Sequence, residues 1–131
     1  MKITRACDYA IRALVELSNA RDGVISLRSD LAKITNVPNS FLGKILQSLA
    51  RAEILVSGRG KKGGFRLARP ASQITIYDVV IAVEGKLVVA DCLVDTGACP
   101  DVDVCKIRSV WNNMQATVTQ KMKEVSIEDL K

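Results

Sequence analysis

The chain contains no histidine. That removes, at one stroke, the usual general acid–base side chain and the commonest metal-ligating nitrogen. It also has no C-x-x-C pair, no nucleotide-binding glycine fingerprint after a strand, and no G-K-[ST] ending to its glycine-rich stretch. Those absences leave little ground for a thiol or cluster-dependent oxidoreductase or for a phosphate-binding loop. No run of eighteen apolar residues occurs, so nothing reads as a membrane span. The opening Met1-Lys2-Ile3-Thr4-Arg5 leads into a helical pattern without the long apolar core of a signal peptide. The expectation is a cytoplasmic protein with no membrane partner. In a reducing compartment its cysteines are ligands or redox groups more often than disulfides.

What is present is an ordinary globular composition: 131 residues, 25% charged and 48% hydrophobic. Such a chain is one domain, long enough to bury a core. Its net charge of +5 is unevenly spread. Residues 1–70 carry thirteen Lys/Arg against five Asp/Glu, and residues 71–131 carry six against nine. A basic first half points to a polyanion, foremost nucleic acid; a merely solvated basic surface is the plainer alternative.

The hydrophobic periodicity predicts a first helix from Thr4, as cap, to about Asn19. A short strand is expected at Val24-Ile25, then a second helix from Leu27 to about Thr35, capped by Ser26. Asn36-Val37-Pro38-Asn39 is a tight turn, and a third helix runs to about Ala52, burying Phe41, Leu42, Ile45, Leu46 and Leu49. Two short helices so joined form a helix-turn-helix. Ile54-Leu55-Val56-Ser57 and Phe65-Arg66-Leu67-Ala68 read as strands flanking a cationic glycine loop, which completes a winged helix. Thr75 caps a further helix ending at Gly85. The last helix begins between Val102 and Cys105 and carries Ile107, Val110, Trp111, Met114, Val118, Met122 and Val125 at three- and four-residue steps. This stripe is expected to pack on a second copy, giving a two-fold homodimer. The fold class is therefore mainly α with a small β-hairpin wing: a winged helix-turn-helix over 1–85, a cysteine loop over 86–105, and a dimerisation helix over 106–131.

The third helix offers Asn39, Ser40, Lys44, Gln47 and Ser48 to bases and phosphates of double-stranded DNA. Arg59 suits a neighbouring minor groove, and Lys61, Lys62 and Arg66 suit phosphates. A dimer would read a palindromic operator. Plain solvation is as good a reading of any single polar residue on that helix; the wing is less ambiguous, with five cations from Arg59 to Arg69 and no acid among them.

The acidic second half holds Cys92, Cys99 and Cys105, spaced C-x6-C-x5-C. Three soft thiolates in one loop suit an iron–sulfur cluster of two or four irons. A zinc site of three thiolates and a carboxylate, or a metal-free thiol switch, uses the same atoms. The set is one ligand short of four.

Taken in order, M-K-I-T-R-A-C-D-Y-A-I-R-A-L, V-P-N-S-F-L-G-K-I-L-Q-S-L, S-G-R-G-K-K-G-G-F-R-L-A-R-P, I-T-I-Y-D-V-V-I-A-V-E-G and the three cysteines resemble the Rrf-type winged-helix regulators. That family includes the iron–sulfur regulator IscR and the nitric-oxide sensor NsrR. The resemblance spans essentially the whole chain. It implies a dimeric bacterial transcription regulator, such as a repressor, whose DNA affinity follows a cluster sensing redox state, nitric oxide or iron–sulfur status. IscR-type members complete the cluster with a histidine shortly after the third cysteine, where this chain has Arg108. NsrR-like members use a first-helix aspartate from the partner subunit, and Asp8 matches that position. On residue chemistry alone Asp8 reads as an i,i+4 partner of Arg12. Cys7, on the apolar stripe, reads as core. Asp91, Asp95, Asp101 and Asp103 are further oxygen candidates, or solvated loop acids.

Overall fold

A computed structural model describes residues 1–21, 23–58 and 63–131. Its elements are α1 (Arg5–Asn19), α2 (Arg28–Thr35), α3 (Asn39–Arg51), β1 (Leu55–Ser57), β2 (Phe65–Leu67), α4 (Ile76–Glu84) and α5 (Lys106–Glu124). β1 and β2 pair antiparallel in the register Leu55–Leu67, Val56–Arg66 and Ser57–Phe65. The expected class holds: a helical body with a two-stranded wing.

α1 lies at the centre because one face is wholly apolar: Cys7, Ala10, Ala13, Leu14 and Leu17 are buried. The two alanines let α2, α3 and α4 approach it closely. α3 contributes Leu42, Ile45, Leu46 and Leu49 to the same core. An edge-to-face contact between Tyr9 and Phe41, centroids 5.8 Å apart, closes the α1–α3 seam. Between α2 and α3, Asn36 adopts the left-handed conformation (φ 55°, ψ 41°) and ends α2, a place where asparagine is tolerated better than most residues.

The helix starts differ from expectation in two places. Thr4 sits at the N-cap of α1 but makes no capping bond; its hydroxyl donates instead to Glu84 of α4. Ser26 does not cap α2, whose N-cap is Leu27. Rather than a strand at Val24-Ile25, Ser26 forms a lone antiparallel bridge with Phe65, its N–H donating at 2.9 Å and its carbonyl accepting at 2.8 Å. Gly64 permits this approach, because a Cβ there would collide with the Ser26 carbonyl. Thr75 behaves as expected: its hydroxyl accepts from the Asp78 N–H, and the Asp78 carboxylate accepts from the Thr75 N–H. α4 ends at Gly85, whose φ of 80° suits glycine alone.

α5 has no fully buried residue. It stops at Glu124, and the chain then returns to the body. The Ile76 N–H donates to Val125 O, the Ile127 N–H to Ile74 O at 2.8 Å, and Ile127 is completely buried. Ser126 and Asp129 clasp this last turn through hydrogen bonds of 2.8 and 2.6 Å. Residues 125–131 therefore do not continue the expected helix. Among the described residues no helix is long and apolar enough to cross a membrane.

Candidate nucleic-acid interface and cysteine loop

α3 turns Asn39, Ser40, Lys44 and Gln47 outward, all exposed, because its apolar residues recur on the opposite face. Ser48 is half-buried, and its hydroxyl donates to Lys44 O at 3.2 Å within the helix. A cleft of about 410 Å³ lies between the start of α3, the start of α2 and the base of the wing, lined by Arg28, Ser29, Asn39, Ser57 and Gly64 among others. Arg28 and Ser29 are not residues that the sequence pattern singles out. Only the packing of α2 beside the wing reveals them, since nothing in their local sequence distinguishes them from ordinary first-turn residues.

Arg59, Lys61 and Lys62, expected as wing contacts, lie outside the described residues. Arg66 is half-buried on β2 and faces a cleft it shares with Arg21 and Arg69. Arg69 is engaged internally. Its guanidinium donates to Gln73 O at 3.0 Å, to Glu53 O at 3.4 Å and to the Asp78 carboxylate at 3.3 Å. It fastens the exit of the wing to the start of α4.

The segment after Gly85 is irregular, with short 3-10 turns at Asp91–Leu93 and Thr96–Ala98. The Asp95 carboxylate accepts from the Gly97 N–H at 2.9 Å and shapes the second turn. Cys92, Cys99 and Cys105 are half-buried free thiols. Cys105 occupies the N-cap of α5, where unpaired backbone N–H groups favour negative charge. Arg108 donates from Nε to Cys92 O at 3.4 Å. A cleft of about 350 Å³ beside Cys105 is also lined by Asp103 and Arg108. Among the described residues, no three cysteine or acid side chains converge closely enough to hold one metal ion.

The other candidates lie on α1. Asp8 is exposed and pairs with Arg12 at 2.9 Å, as its i,i+4 spacing suggests. Cys7 is fully buried, and its thiol donates to Glu84 Oε1 at 3.2 Å. Burial, and then the bond to Glu84, push its pKa up to about 12. A thiol held protonated is a poor ligand, so Cys7 is a core residue. Thr4, Cys7 and Glu84 form a polar knot between α1 and the end of α4.

Comparison with known proteins agrees with this architecture. Residues 3–131 match the model of the Rrf2 family, described as "Iron-dependent Transcriptional regulator". A candidate HTH-type transcriptional regulator of Mycobacterium tuberculosis is 32% identical over 99% of this chain and 81% of its own length. The structure of CymR, the global cysteine regulator of B. subtilis, superposes with a TM-score of 0.78 at 22% identity, covering 99% of this chain and 95% of that one. T. potens IscR gives 0.76 at 19% identity, covering 99% and 85%. At such identities the two structures speak for the fold.

Proposed function

We propose, from the premise that this chain belongs to the Rrf2 family of transcriptional regulators, that it is a homodimeric repressor whose operator affinity is set by an iron–sulfur cluster. Cys92, Cys99 and Cys105 hold the cluster, and Asp8 of the second subunit supplies the fourth ligand. The observation that carries the reading is positional. The three free thiols occupy the irregular stretch between α4 of the winged helix and α5, a helix with an exposed apolar stripe.

Three thiolates and one carboxylate can hold an iron–sulfur cluster as well as zinc, and the cluster is the proposed occupant. When bound, it supplies a redox-active centre with one exchangeable oxygen ligand. Asp8 suits that exchangeable place because it is exposed and its partner Arg12 competes for the same carboxylate.

On the DNA side, Asn39, Ser40, Lys44, Gln47 and Ser48 meet the major groove of a palindromic operator. Arg59 enters the minor groove, and Lys61, Lys62 and Arg66 meet phosphates. Arg28 and Ser29 join them through the cleft they share with Asn39. Exposed Ile107, Val110 and Met114 form the face for the second subunit.

The test is anaerobic purification of wild type and Asp8→Ala, with visible absorption and iron, sulfide and zinc analysis. Binding of holo and apo protein to a duplex selected from a random pool follows. The expected result is a coloured protein with stoichiometric iron and sulfide, destabilised by Asp8→Ala, and a steep salt dependence of DNA binding. A colourless, zinc-loaded protein, or identical holo and apo affinities, overturns the cluster reading.

A further inference from the structure

Gln115 is half-buried on α5, and its side-chain amide holds the backbone that leads into the cysteine loop. Nε2 donates to Leu87 O at 2.8 Å, and Oε1 accepts from the Val89 N–H at 2.8 Å. These are the two groups that a neighbouring strand would engage, so the amide stands in for a strand partner. Its orientation is dictated by chemistry: a flipped amide would set NH2 against N–H and oxygen against oxygen. One heptad earlier, on the same face of α5, Arg108 reaches Cys92 O. The helix thus grips the loop at Leu87, Val89 and Cys92.

This grip adds to packing, since a half-buried stripe of α5 with Trp111, Val118 and Met122 lies on the side where α5 meets α4, and Lys123 Nζ sits 4.8 Å from the Tyr77 ring centroid. No residue of α5 is fully buried, and the two Gln115 bonds are the directional contacts that tie the helix to the backbone at Leu87 and Val89. The apolar residues Ile107, Val110 and Met114 are exposed on the same helix.

We infer that Gln115 is the positioning residue that couples the state of the cysteine loop to α5, and through α5 to the spacing of the two recognition helices. The inference rests on the proposed cluster-gated function. Gln115 bonds to Leu87, Val89 and Thr119 and to no cysteine thiol, and it is not one of the proposed DNA contacts, so its loss leaves cluster and DNA contacts in place while weakening the link between them.

The experiment uses the full-length dimer as wild type, Gln115→Leu and Gln115→Glu. Leucine keeps similar bulk without hydrogen bonds, whereas glutamate keeps the acceptor for Val89 and loses the donor to Leu87. Iron and sulfide content should match wild type in both. The ratio of holo to apo affinity for the selected duplex should shrink about fivefold or more in Gln115→Leu, the ordinary scale of allosteric coupling, and less in Gln115→Glu. Amide exchange at Val89 in the apo protein should accelerate about threefold to tenfold in Gln115→Leu. A Gln115→Leu ratio equal to that of a responsive wild type overturns the inference. So does unchanged Val89 exchange, which reads the clamp itself without any cluster. A wild type with no holo–apo difference but a Val89 amide released by Gln115→Leu refutes the gating reading and leaves the clamp standing.

Discussion

The winged helix and the segment that follows it are stabilised in different ways. Among the described residues, 7–80 hold every fully buried apolar side chain except Ile127. Between Ile81 and Ser126 no described residue is buried. The first region is held by a continuous apolar core that α1 shares with its neighbours. The second is held by a half-buried face of α5 against α4 and by directional bonds from Gln115, Arg108 and Asp95, and leaves apolar surface uncovered: Ile107 is 57% exposed and Met114 47%. The difference teaches where change is cheap. A packed core resists displacement because every shift opens voids, whereas a coreless loop and helix are repositioned by altering a handful of contacts.

The largest expected effect follows from that contrast. Leu46→Ala, in a fully buried site, should cost about 2–5 kcal/mol in urea unfolding. Met114→Ala should change the stability of the dilute protein by less than about 0.5 kcal/mol, yet weaken self-association in sedimentation. Equal losses in unfolding for the two would erase the distinction between the regions.

Next comes the outer face of the packed region. Gln47→Ala should weaken binding to the selected duplex by about 1–3 kcal/mol while sparing random DNA. Lys44→Ala should weaken both alike and lower the salt slope by about one. If Gln47→Ala affects all sequences equally, its side chain does not read bases.

The buried thiol gives a pH signature. Cys7 is raised from 9.0 to about 12, chiefly by burial. Its protonated form therefore contributes stability that is complete below pH 9 and is lost as pH rises towards 12. Melting between about pH 8 and 11 should fall more steeply in wild type than in Cys7→Ala, by up to roughly 1 kcal/mol per pH unit. Parallel curves would mean that the thiol ionises freely.

The smallest effect contrasts two turns. Thr75→Ala removes half of a capping box in the packed region and should cost about 1 kcal/mol. Asp95→Ala, in the cysteine loop, should alter global unfolding by less than about 0.5 kcal/mol. Thermal melts of the two variants side by side provide the measurement.

Much of the winged helix is legible in the amino-acid sequence. The stripe of α1, the turn between α2 and α3, the strands on either side of the glycine loop and the Thr75 cap all depend on residues a few positions apart. The Asp8–Arg12 pair is legible for the same reason. Less visible is what a side chain does when two partners compete for it. Thr4 and Ser26 have the right chemistry to cap helices, yet one bonds Glu84 and the other bridges Phe65. Arg69 counts as a wing cation by sequence, although three internal acceptors take its guanidinium.

By itself, then, the sequence determined the helical and hairpin elements, the outward polar face of α3, and the three-thiol donor set that lacks histidine. Those features follow from local periodicity, turn chemistry and residue type. Only the tertiary structure decided that Ile127 returns to the core, that Cys7 is locked as a neutral thiol against Glu84, and that Gln115 clasps Leu87 and Val89. Each joins groups far apart along the chain, and across such separations packing, not local pattern, selects the partner.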